Sequence, residues 1–169
     1  MSFEISPIAG AGEQNAFRIA DRRPATTLAD LAPEYRQLID GAYIAVLATH
    51  DAKGRIQLTP MWFRAHADGE HVELNTVKGR AKYRHMKANP QVTVQIINNQ
   101  NPYHWVTIYA RVDDLIEESD PERGRLATAS IDDLAELYLG QRPYPLRVEG
   151  EERALFLARP TQIVTFGQP

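Results

Sequence analysis

The chain has no cysteine. That removes disulfide staples, thiolate metal sites and a cysteine nucleophile together. It is compatible with a reducing compartment, so a cytoplasmic location is expected. Long apolar runs are also missing. No segment approaches the roughly 20 apolar residues of a membrane helix, and the first residues lack the apolar stretch of a signal peptide, so no membrane is expected among the partners. Charge of one sign is scarce as well: 19 Lys and Arg against 22 Asp and Glu leave a net charge of −3. That balance argues against broad nucleic-acid binding, which needs a basic face. The five histidines show no metal partner: His50 and His66 sit by turns and His85 falls in a basic stretch. No Ser-His-Asp arrangement or carboxylate pair stands out, so no catalytic residue is assigned and no metal is expected.

What is present suffices for one compact domain, with 43% hydrophobic residues in 169. Residues 1–30 mix Gly, Pro and polar residues with little periodicity and read as an N-terminal arm, leaving a single domain over 31–169. Pro33 suits the first position of a helix, where its missing N–H costs nothing, with Tyr35, Leu38 and Ile39 as the apolar side and Gly41 as the stop. Strand patterns follow. They cover 43–49, 55–66 with Asp51–Gly54 as the turn before it, then the Val72-Leu74-Thr76 alternation after an Asp68-Gly69 hairpin signal. Further strands are expected at 92–97 and 103–117. A helix capped at Asp120-Pro121 carries Leu126, Ile131, Leu134 and Leu137 and ends at Gly140. Ala154–Leu157 and Ile163–Phe166 read as two final strands. Six or seven strands, mostly in hairpin connection, with three helices between them predict an antiparallel barrel. Pro60, inside a strand, marks an edge, a bulge or a ligand contact.

The most informative stretch is 74–84. A strand runs into Asn75-Thr76, passes Gly79 and opens a short helix, and Lys78, Arg80, Lys82, Arg84 and Lys87 follow with no acid among them. Free N–H groups at a helix start together with fixed cations make an anion site. The competing reading is a solvated helix face. Arg80 and Lys82 are two residues apart and do not share a helical face, so they reach one ligand only at the helix mouth.

The ordered series Ala45–Thr49, Gly54–Trp62, Leu74-Asn-Thr76, Gly79–Lys82, Asn89-Pro90 and Asn101-Pro-Tyr103 resembles the pyridoxamine 5′-phosphate oxidase-like split-barrel superfamily. It looks most like the branch of coenzyme F420 (deazaflavin)-dependent oxidoreductases, over roughly residues 35–167. The resemblance implies a mainly β (α+β) fold: a six-stranded antiparallel split β-barrel with flanking helices, of the FMN-binding type. It also implies a homodimer with cofactor sites at the interface. The implied cofactor-binding residues are Thr59, Pro60, Met61 and Trp62 along the ring, and Asn75, Thr76, Arg80, Ala81 and Lys82 around the phosphate. Tyr103 and Trp105 match a place where an aromatic is offered to the ring, often across the dimer. Trp62, Tyr103 and Trp105 also read as core or dimer packing. Arg147 and Arg153 are placed to meet an acidic cofactor tail, with surface charge as the plainer reading.

Three functions follow from the resemblance. The first is hydride transfer from reduced F420 to a small electron-poor organic substrate, with water, Tyr103, His104 or Tyr109 as proton sources and none assigned. The second is an FMN-dependent oxidoreductase of the same family, without the full signature of pyridoxamine oxidation. The third is a non-enzymatic binder of a flavin or tetrapyrrole. The extra cations Lys78 and Arg84 favour the more acidic F420.

Overall fold

The computed structural model describes residues 27–167. The arm expected at 1–30 therefore lies outside the described residues up to residue 26, while Leu28, in a 3-10 turn, is fully buried. Helix α1 spans Pro33–Asp40, with Pro33 at its first turn. Seven strands follow: β1 Ala45–His50, β2 Ile56–Met61, β3 Arg64–Ala65, β4 Val72–Val77, β5 Gln91–Ile97, β6 Trp105–Glu117 and β7 Arg153–Phe166. Helix α2, Ala81–Ala88, lies between β4 and β5, and α3, Gly124–Leu139, lies between β6 and β7. Among the described residues no helix is long and apolar enough to cross a membrane.

All pairings are antiparallel, in the order β2-β1-β5-β6-β7-β4-β3. The two edge strands, β2 and β3, are consecutive in the chain and are joined through Trp62-Phe63. The barrel is split there. The single strand expected over 55–66 is therefore two short strands on opposite edges of the sheet. Alternation could not reveal this, because the break falls between two apolar residues. The two strands expected after residue 153 are in turn one continuous β7. Pro160 does not end it. Proline lacks the ladder N–H, and the register shifts beside it, between Tyr109 and Ala110 on β6, absorb the loss. One expected strand divided and two merged leave seven strands, within the six or seven expected.

The inward faces form the core. Leu47, Val94, Ile108 and Ile163 are consecutive partners across β1, β5, β6 and β7, and all are buried. Leu28, Leu38 and Ile39 join the same cluster. A smaller cluster of Ile116, Ala127, Leu155 and Leu157 packs α3 on the far half of β6 and β7. Gly140 ends α3 at φ +66°, the left-handed conformation that lets its N–H close on Glu136. Leu137, expected on the apolar side of α3, is exposed.

Candidate functional site

The split opens a cleft of about 270 Å³ lined by residues from every layer. Pro60, Met61 and Trp62 come from the end of β2 and Asn75 from β4. Arg80 and Lys82 come from the start of α2, Ile131 and Leu134 from α3, and Tyr144, Leu146 and Arg153 from the segment entering β7. Six of the expected cofactor-binding residues thus meet in one place. Thr59, Thr76 and Ala81 flank the cleft without lining it. Tyr103 and Trp105 are elsewhere: Trp105 begins β6 on its outward face and stacks on Phe166 at 5.5 Å, and Tyr103 is exposed in the turn before it.

The anion end is built by the turn into α2. Gly79 takes φ +88°, a conformation costly for any other residue. Arg80 then caps the helix with extended backbone and no side-chain cap, so the first N–H groups of α2 lack a capping acceptor. Both cations reach the cleft because one stands just before the helix and the other in its first turn. Lys82 is only 7% exposed and has no hydrogen bond or ion pair among the described residues. Burial, then the nearby charges of Arg80 and Arg153, push its pKa down. An unpaired buried cation is costly, and Lys82 with Arg80 and Arg153 makes this end of the cleft cationic.

The neighbouring cations behave differently. Lys78 Nζ donates to Glu117 and Glu152 at 2.8 Å each, and Lys87 lies 3.4 Å from Glu117. Hydrogen bonds from Lys78 and from the Tyr83 hydroxyl hold the Glu117 carboxyl at about 2. Arg84 is exposed and donates to the Gly79 carbonyl. Lys78 is therefore not available to a cofactor, and the argument for an acidic cofactor from Lys78 and Arg84 fails. The acids that neutralise this stretch come from β6 and from the loop before β7, out of sight of the local sequence.

Arg153 moves the other way. It is only 4% exposed, ion-paired to Glu151, and its guanidinium lies 4.7 Å from the centre of the Tyr144 ring. Its Nε is buried without a hydrogen-bond partner. It stands opposite Val77 in the β4–β7 ladder, two residues along from Asn75. The surface-charge reading holds for Arg147, which is exposed and pairs with Glu118 at 2.5 Å, but not for Arg153. The signal was its position at the head of the apolar Ala154–Leu157 run.

The opposite wall is apolar and aromatic. Trp62 stacks on Tyr138 with ring centres 5.2 Å apart and meets Tyr144 edge-on. The Tyr138 hydroxyl donates to the Tyr43 carbonyl and accepts from the Phe63 N–H, so α3 pins the chain where the barrel splits. Burial pushes the Tyr138 pKa up, so this peg stays neutral. A second clamp fixes α3 to β3 and β4. Buried Glu73 accepts two 2.9 Å bonds from Arg64 and one of 2.6 Å from Ser130. Asn75 donates from Nδ2 to the Ala127 carbonyl at 2.8 Å, while its Oδ1 is buried and free to accept. Ile44, Ile131, Leu134, Tyr144 and Leu146 are lining residues that sequence reasoning missed, since ordinary core patterning has the same appearance.

This architecture recurs in known proteins. An F420 reductase is 28% identical, with a TM-score of 0.65, over 79% of this chain and 98% of that one. An FMN-binding protein from Syntrophomonas wolfei shares the fold at 11% identity and a TM-score of 0.57, covering 78% of this chain and 83% of its own. HutZ, the haem storage protein of Vibrio cholerae, does so at 18% and 0.56, covering 82% and 96%. No curated protein matches the chain. The family description "pyridoxamine 5′-phosphate oxidase" matches residues 31–163, which contain β1 to β6, all three helices and most of β7. With that span and a barrel split beside a cationic helix mouth, the chain belongs to the pyridoxamine 5′-phosphate oxidase-like, FMN-binding split-barrel family.

Proposed function

We propose that the protein is an oxidoreductase that binds coenzyme F420 in this cleft and acts on a small electron-poor organic substrate, with FMN as the alternative cofactor. The observation that carries the reading is Lys82, a buried ammonium without an acidic partner among the described residues, beside Arg80 at the open end of α2. The donor set fits a phosphate-bearing tricyclic cofactor. Arg80 and Lys82 would hold the phosphate, the free Oδ1 of Asn75 would accept a hydroxyl or ring N–H, and Pro60, Met61 and Trp62 would lie along the ring. When bound, the cofactor supplies hydride chemistry, and the chain supplies orientation and exclusion of water. Met61, Ile131, Leu134 and Tyr144 do the latter.

Two observations favour F420 over FMN. The F420 reductase likeness extends over 98% of that chain. Arg153 lines the cleft, and although its guanidinium is ion-paired to Glu151, its Nε has no hydrogen-bond partner, which leaves a donor for the acidic tail of F420 beyond the phosphate that FMN also carries. The reading is tested by fluorescence titration of the purified protein with F420 and with FMN, followed by turnover of the reduced complex with electron acceptors. Tight, selective F420 binding supports it, and preference for FMN moves the assignment to the second cofactor. Binding without any turnover leaves a storage protein, and binding of neither removes the reading.

The proposal includes a homodimer. The outward face of the sheet carries no acid or base along two five-strand rows: Leu58, Ala48, Thr93, Tyr109 and Gln162, then Pro60, Val46, Gln95, Thr107 and Val164. Ile56 and Leu58, on edge strand β2, are 64% and 65% exposed. A solvated face would ordinarily carry charge, and a second copy of this chain is the occupant that would cover it. Pro60 belongs both to this face and to the cleft, and Trp105, on the same outward face, would meet a partner's cleft and not its own. Light scattering checks this: a monomer at micromolar concentration, or a dimer undisturbed by Leu58→Arg, argues against it.

A further inference from the structure

The segment between α3 and β7 is held in place without a core of its own. Every residue from 141 to 150 is exposed except Tyr144, and Leu146 and Val148 are 63% and 66% exposed. It runs between two glycines in the left-handed conformation, Gly140 at φ +66° and Gly150 at φ +76°. Neither glycine is packed against: a Cβ at either would meet nothing within 4 Å. A segment with so few buried apolar contacts opens before the core does, and its two ends can absorb the backbone change.

Polar contacts fix it instead. At its start, Arg142 pairs with Asp133 and Glu136 of α3, and the Tyr144 N–H donates to the Asp132 carboxylate at 2.9 Å. Toward its end, Arg147 donates to Glu118, just beyond β6, at 2.5 Å. Glu118 is a shared post, since it also accepts from the Thr128 hydroxyl on α3 and from the Arg153 N–H at 2.9 Å. Between these ties, the Tyr144 ring meets Trp62 edge-on and lies under the Arg153 guanidinium. The reading above assigns Trp62 to the cofactor ring and Arg153 to its acidic tail. One side chain thus bridges two walls of the cleft, and a ligand that touches both enters only when Tyr144 swings aside.

We infer that residues 141–150 are a lid, closed in this structure and latched by Arg147 on Glu118, which opens to admit the cofactor and recloses over it. The inference rests on the cofactor reading of the cleft. No residue of the lid belongs to the two sheet rows assigned to a second copy, so the two proposals do not compete for one surface. Breaking the latch raises the open fraction, so entry and exit both quicken while their ratio changes little.

The test compares Arg147→Gln with the native full-length protein; Arg147 is exposed and does not line the cleft. Hydrogen exchange of the Tyr144 amide needs no cofactor. Its protection should fall about two- to fivefold, as for the loss of one partly exposed ion pair, while the Val94 and Ile108 amides in the barrel stay unchanged. Stopped-flow mixing with F420 and with FMN then gives the rates. Association and dissociation of whichever cofactor binds should rise by a similar factor, with Kd nearly constant, and Arg147→Lys should restore the native rates. Native protection of Tyr144 in Arg147→Gln removes the latch. Lost protection with an unchanged association rate removes the gate. Where neither cofactor binds, the cofactor reading falls and takes the gate with it, while the exchange result still decides the latch.

Discussion

Lys78 and Lys82 are one helical turn apart in the sequence and have opposite electrostatic fates. Lys78 sits between Glu117 and Glu152, and those hydrogen bonds raise its pKa. Lys82 is buried beside two more cations, with no acidic partner among the described residues, and its pKa is lowered. Nothing within the run from residue 78 to 87 distinguishes them. The difference is imposed by β6 and by the loop before β7, which bring their carboxylates to one lysine and not the other. A run of like charges therefore locates a candidate anion site, but the tertiary acids decide which cations remain available to a ligand.

The sharpest way to break this comparison is to remove the unpaired side. The Arg80→Ala, Lys82→Ala double variant is expected to lose most cofactor binding, each contact contributing on the order of 1–3 kcal/mol; unchanged titration curves would refute the anion site. Next, Lys82→Met alone should weaken binding while leaving the melting temperature of the cofactor-free protein equal or higher, since it removes an uncompensated buried charge. A lower melting temperature would mean that Lys82 is structural. Lys78→Met should do the reverse, lowering stability by thermal melt while cofactor affinity hardly changes.

A smaller effect is expected from pH. Lys82 must be cationic to hold an anion, and its lowered pKa means that affinity falls as pH rises, below the pH near 10.5 of an ordinary lysine. In Lys82→Arg the guanidinium stays charged and that loss should vanish. The smallest effect concerns a paired site far from the cleft. His71 lies between Asp68, at 2.6 Å, and Asp113, at 3.1 Å. Burial opposes its charge, but the two carboxylates outweigh that and raise its pKa above 6.5. Its contribution is therefore complete below pH 6.5 and lost as pH rises through the raised value. Asp68, held at about 2 by hydrogen bonds that overcome its own burial, loses its contribution as pH falls from 3.8 toward 2. A melting profile whose upper limb does not flatten in His71→Asn would contradict this.

The strands, the helices and the gathering of Arg80 and Lys82 at the mouth of α2 were legible because each has a local signature: period-two alternation, Pro33 at a helix start, Gly79 before the basic turn. The break at Trp62-Phe63 was not, because adjacent apolar residues extend an apolar segment without showing that the chain has crossed the barrel. Nor was the continuity of β7 through Pro160, which depends on a bulge across the ladder on β6. Surface charge, the plainer sequence reading of Arg153, does not hold, since the residue is buried. Its place at the head of the apolar Ala154–Leu157 run hinted at burial, but the Tyr144 and Glu151 contacts that complete it come from outside any local pattern. Trp105 stands on the outward face of β6 and Tyr103 in the turn before it, so neither lines its own protomer's cleft, and the expectation of an aromatic offered across a dimer is untouched by the single protomer.

The cleft also divides its coding unevenly along the chain. Its anion end is written in one short segment, residues 75–82, while Ile131, Leu134, Tyr144 and Leu146 of the facing wall come from a stretch some fifty residues later. The grip and the mould can therefore vary independently. Substitutions in the second half of α3 and the loop after it can reshape what the cleft admits without disturbing how a cofactor is anchored. A library confined to those four positions would search substrate scope at nearly constant cofactor affinity.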